Sequence, residues 1–100
     1  MKRMILLCVL SLAPAASAHA ADAQAGGRLA QLRCAACHIV TPGQRREVAE
    51  APPFVAIARK FAADADALAL NLMGPHAKMN FGLNRSDADD IAAYIGSLVK

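Results

Sequence analysis

The 100-residue chain has no tryptophan, four aromatic residues and three cysteines. No stretch alternates apolar and polar residues in the way a half-buried strand does, which argues against a sheet-based fold. There is no internal repeat, low-complexity tract or second domain, and the length allows one domain and no more. Apolar residues make up 56% of the chain, which excludes disorder, but 24 of them are Ala, a residue that packs closely and buries little surface.

The apolar residues are unevenly placed. Fourteen of the first 20 residues are apolar. A basic start at Met1-Lys2-Arg3, a short apolar run through Ile5 to Leu10 and the small residues Ala16-Ser17-Ala18 form the pattern of a secretory signal peptide. Cleavage is expected after Ala18 or after Ala20. A membrane span needs about 20 consecutive apolar residues, and Pro14 with its small neighbours cuts this run short. Residues 1–20 are therefore expected to be a cleaved leader and residues 21–100 an exported, periplasmic domain with no membrane span in its mature form. Cys8 would leave with the leader.

Without the leader the formal charge of +3 falls to +1, because nine basic residues then face eight acidic ones. Such a balance gives no field to attract nucleic acid or an anionic membrane. Of 80 mature residues 42 are apolar, but 19 of these are Ala and two are Cys. A chain this short of bulky core residues usually draws stability from disulfides, a metal or a bound group.

The two remaining cysteines form Cys34-Ala35-Ala36-Cys37, followed at once by His38. A disulfide, a redox dithiol, half of a zinc site or a haem attachment site could each use such a pair. A structural zinc site would need a fourth ligand at close spacing, and no further Cys exists. A redox dithiol belongs to an α/β pattern that is missing here. In C-x-x-C-H the two thiols add to the haem vinyl groups and the adjacent imidazole becomes the proximal iron ligand, which is the reading preferred over the dithiol.

The rest of the mature chain reads as helices joined by loops. The first runs from Asp22 or Ala23 to about Cys34, with Leu29 and Leu32 on one side and a costly Gly26-Gly27 pair inside. A loop covers Thr41 to Pro53. Phe54 to Phe61 can form a short helix presenting Phe54, Ile57 and Phe61, and Asp64 can cap another through Leu68, Leu72 and Met73 that ends at Gly74-Pro75. At its spacing Met73 is a buried packing residue. In the last helix Ser86 and Asp89 act as the start signal, Asp87, Asp89 and Asp90 favour the helix dipole, and Ile91, Ile95 and Leu98 form a stripe beside Tyr94. The spacing offers Phe54, Ile57, Leu68, Leu72, Leu83 and Ile95 as the apolar wall.

These residues resemble the class I c-type cytochromes, and the resemblance covers essentially all of residues 22–100. It implies an all-α, cytochrome c-like fold of three to five helices wrapped around one covalently attached haem c, held by Cys34 and Cys37 with His38 on the iron. In that family the first and last helices cross near a right angle, and a Gly eight residues before the first Cys lets an aromatic of the last helix pack on its backbone. Gly26 and Tyr94 match those positions. A Pro carbonyl accepts from the proximal imidazole, which makes Pro52 of Ala51-Pro52-Pro53-Phe54 the expected acceptor. Pro75-His76-Ala77-Lys78-Met79-Asn80-Phe81 resembles the distal Met loop, with Met79 as sixth ligand and Phe81 over the haem edge. Asn80 stands where many relatives carry Pro. His76 is expected to be a loop residue near solvent, and Lys78 a surface charge.

The resemblance implies an electron carrier and not an enzyme, since a His/Met iron has no open position for oxygen, peroxide or substrate. Its partners would be redox proteins, with a dehydrogenase or bc-type complex as donor and an oxidase or reductase as acceptor. The chain would act as a monomer or as a subunit. A dedicated cytochrome subunit of a periplasmic dehydrogenase or oxidase uses the same residues, and a haem enzyme or gas sensor would need Met79 to leave the iron. Few cations are available for steering, namely Lys78, Arg59, Lys60, Arg45 and Arg46, which implies docking through a mainly apolar patch with weak salt dependence.

Overall fold

The structure, a computed structural model, describes residues 20–44, 51–62, 64–76 and 82–99. The leader through His19, Arg45, Arg46 and the segment carrying Lys78, Met79, Asn80 and Phe81 lie outside the described residues. Four helices and no strand are found among those described: α1 (Ala23–Arg33), α2 (Phe54–Phe61), α3 (Ala65–Met73) and α4 (Arg85–Ser97). None of them is long and apolar enough to cross a membrane.

Local chemistry sets most of the helix ends. The Asp22 carboxylate accepts from the backbone N–H groups of Gln24 and Ala25 and so starts α1. Asp64 does the same for α3 by accepting from Ala67 at 2.9 Å. Helix α2 has Pro53 as its cap residue and stops where Ala62 takes a φ of 47°, a conformation that costs Gly less than Ala. For α4 the sequence pointed to Ser86, but the cap is Asn84, two residues earlier. Its side-chain oxygen accepts from the Asp87 N–H at 2.8 Å, and its amide reaches the Asp87 carboxylate at 3.3 Å. Asn caps a helix as well as Ser does, so the Asn84–Asp87 pair takes the place expected for Ser86 and Asp89. Asp89 instead pairs with Arg85 at 2.8 Å, and Arg85 also reaches Asp66 on α3.

The central packing is α1 against α4, and small residues make it. A Cβ built on Gly26 would lie 1.9 Å from the carbonyl oxygen of Asp90 and 2.9 Å from the nitrogen of Ile91. The two backbones therefore touch at that point. This overturns the expected apolar side of α1: Gly26 and Ala30 are its buried residues, Leu29 only flanks the core and Leu32 is 83% exposed. Close approach leaves no room for leucine in the contact itself, so the leucines stand beside it. The Asp22 N–H donates to the buried Asp90 carboxylate at 2.8 Å, pinning the start of α1 to α4. Dipole reasoning gave Asp90 a place near the helix start and did not reveal this bond.

The buried apolar residues among those described are Ala30, Val40, Phe54, Ala58, Leu68, Ala69, Leu83, Ala88, Ile91, Ala92 and Ile95. Five of the eleven are Ala, so close approach replaces bulk. Ile57, Leu72, Tyr94 and Leu98 pack on this core half-buried. Met73, expected to be buried, is 40% exposed, because α3 turns Leu68 and Ala69 to the core and leaves Leu70 and Met73 facing outward.

Candidate haem site

After α1 the chain continues for one more tight turn. The N–H groups of Cys37 and His38 both donate to the Cys34 carbonyl, at 3.1 and 2.9 Å. Residues 34, 37 and 38 therefore stand at i, i+3 and i+4 of a helical turn, which puts two thiols and an imidazole on one face. No disulfide joins the two cysteines. Burial pushes the Cys34 thiol above its ordinary range, with the Arg33 cation opposing the rise and Cys37 adding to it.

The imidazole of His38 is buried and its orientation is fixed. Its Nδ1 lies 2.6 Å from the carbonyl oxygen of Pro52. A carbonyl can only accept, so Nδ1 carries the proton and Nε2 keeps its lone pair for a metal. Phe54 is buried beside the ring, 5.4 Å between centroids, and its N–H donates to the Ile39 carbonyl at 2.9 Å. That bond fastens the Pro52–Phe54 segment to the chain just past His38. The His76 ring, expected near solvent, is exposed but lies 6.0 Å from that of His38.

Gln44 was not foreseen. Its side-chain oxygen accepts from the Val40 N–H at 2.9 Å, and its amide donates to the His38 carbonyl at 2.8 Å and to that of Ala35 at 3.4 Å. One side chain thus ties together the turn that holds the thiols and the imidazole. Only the Pro42-Gly43 turn before it hinted that the chain doubles back here.

Tyr94 performs a similar task from α4. The packing expected between Gly26 and Tyr94 is divided between two glycines, since Gly26 meets the α4 backbone and the Tyr94 ring lies over Gly27. The Tyr94 hydroxyl donates to the Val40 carbonyl at 2.5 Å. Tyr94→Phe is expected to lose about 1–2 kcal/mol in denaturant unfolding of the haem-loaded protein, because the part-buried carbonyl loses its donor. Burial also raises the Tyr94 hydroxyl above its ordinary value. A folded-state value above the unfolded one contributes stability that is complete below the unfolded value and is lost as pH rises through the folded one. Unfolding measured up the alkaline limb should show that loss in the native protein and a smaller one in Tyr94→Phe. Equal limbs would separate Tyr94 from alkaline stability.

The donor set suits a covalently bound haem: two cysteines on one turn and not joined to each other, an imidazole with one nitrogen committed to a carbonyl, and a core poor in bulk. Over 97 residues the chain is 45% identical to cytochrome c-552 of Bradyrhizobium diazoefficiens, a match covering 96% of this chain and 93% of that protein. The chain belongs to the class I c-type cytochromes. No protein-family model matches it, and no solved structure matches it. This cytochrome carries covalently attached haem c with its iron, and it is an electron carrier rather than an enzyme. Its partners are accordingly other redox proteins.

Proposed function

We propose that this cytochrome shuttles single electrons in the periplasm through a haem held by thioether bonds to Cys34 and Cys37, with His38 and Met79 as axial ligands. The observation that carries the reading is the His38 Nδ1 bond to the Pro52 carbonyl, made from the same turn that presents both thiols. That bond holds the ring in one tautomer and raises its basicity, as ligand histidines require. When bound, a haem with both axial positions filled supplies one-electron chemistry, and the Met thioether raises its potential.

The chain's own task is to hold the ligands through both oxidation states and to keep water from the centre. Gln44 and Tyr94 fix the His38 side, and Phe54 packs against the imidazole. Residues 1–20 serve as the export leader. Either expected cut leaves Asp22 in the mature chain, with its cap on α1 and its bond to Asp90. Pro52, Phe54 and Phe81 complete the surroundings of the haem, and Gly26 with Tyr94 sets the helix packing that positions it.

The test is the oxidised and reduced visible spectrum of protein exported to a periplasm with haem-attachment machinery. Haem retained after denaturation is expected in native protein and in Met79→Ala. The variant should lose the Met–iron signature of the ferric spectrum and show a lower midpoint potential. Retention of that signature in the variant would remove Met79 from the iron.

A further inference from the structure

We propose that His76 is a reserve axial ligand, able to take the distal iron position when the Met79 thioether leaves it; this rests on the reading of His38 and Met79 as the axial pair. The ring centres of His38 and His76 are 6.0 Å apart, with their planes 42° from parallel. Two imidazoles that share one metal ion through a nitrogen each, at about 2 Å per bond, have ring centres roughly 6 Å apart. That separation puts His76 within reach of an iron bound by His38.

The two rings are held differently. His38 is fixed by its bond to Pro52 and by the backbone bonds on either side of it. His76 is exposed and follows α3 by two residues, Gly74 and Pro75. The Gly74 N–H closes the last turn of α3 on the Asn71 carbonyl at 3.2 Å, and Pro75 has a fixed φ. This short link keeps His76 near His38 without burying it. Met79 comes three residues later and is followed by Asn80, which restricts the backbone less than a Pro would.

The exchange balances without an oxidant or reductant. The bond from the Met79 sulfur to iron breaks, a bond from a neutral His76 ring nitrogen to iron forms, and no electron changes hands. Replacing a thioether by an imidazole lowers the reduction potential, so the exchange would turn a high-potential carrier into a poorer electron acceptor.

The experiment compares four haem-loaded proteins: native, Met79→Ala, His76→Ala and the double variant. Electron paramagnetic resonance and near-infrared magnetic circular dichroism of the ferric forms identify the axial pair directly. Native protein and His76→Ala should both show His/Met ligation. Met79→Ala should remain low-spin with a two-imidazole spectrum, and the double variant should become high-spin. A high-spin Met79→Ala protein overturns the proposal while leaving Met79 as resident ligand. So does a low-spin form that survives in the double variant, since another group such as Lys78 then binds. Two-imidazole ligation in native protein, lost in His76→Ala, refutes the Met79 reading and with it the reserve role.

Discussion

Exported protein with both Cys34 and Cys37 replaced by serine is expected to carry no haem and to lack a cooperative fold. The described core explains the size of the effect. Five of its eleven buried apolar residues are Ala, and its largest fully buried side chains are Ile91, Ile95 and Val40. A domain of ordinary stability stands about 5–15 kcal/mol above its unfolded state. A haem is larger than any aromatic side chain, each of which buries about 150–250 Å², so at about 25 cal/mol per Å² its burial contributes several kcal/mol, a large part of that margin. Serine keeps the size of each side chain and forms no thioether, so the loss is one of attachment and not of packing. Haem staining after denaturing electrophoresis and a far-ultraviolet thermal scan report the two effects separately. A haem-free double variant that melted cooperatively would show that the four helices hold themselves together.

Gly26→Val is expected to destabilise the haem-loaded protein by about 3 kcal/mol or more, at the upper end of what overpacking costs. The contact is with backbone, 1.9 Å to the Asp90 oxygen and 2.4 Å to its carbonyl carbon, so no rotamer change relieves it and α1 must move off α4. The movement would also stretch the Asp22 to Asp90 bond. At about 4–8 °C per kcal/mol for a domain of this size, the melting point should fall by more than about 12 °C. Gly27→Ala is the control. Its Cβ would meet only the Tyr94 ring, at 3.1 Å, and the higher helix propensity of Ala partly offsets that crowding. Equal losses at the two positions would show that close backbone approach is not what requires glycine at residue 26.

The two glycines illustrate how much of the molecule can be read without coordinates. Their presence inside a helical stretch signalled only a cost, and the resemblance supplied both the close approach and Tyr94 as a partner. Which glycine met backbone and which met the ring depends on how α1 is rotated against α4. That rotation depends on the whole set of facing residues and not on either helix alone. Leu29 and Leu32 failed as a guide for the same reason: apolar spacing marks a face as suitable for burial, while the smallest residues determine where two backbones can touch. Met73 shows the converse, since a side chain at core spacing stays outside when its neighbours Leu68 and Ala69 fill the contact.

By itself the sequence determined the chemistry and the order of the elements. Cys34, Cys37 and His38 follow one another at spacings that a single helical turn puts on one face, and Asp64 announces the helix it caps. Such features are local, because they depend on backbone geometry over a few residues. Only the three-dimensional structure decided the ties: Gln44 closing the haem-attachment turn, Asp90 receiving the Asp22 N–H across 68 residues of chain, Tyr94 reaching Val40, and His76 coming to rest beside His38. The last three join residues far apart in the chain, and each exists because the packed helices bring distant groups within reach; Gln44 acts over fewer than ten residues, through a side-chain contact that no periodicity marks.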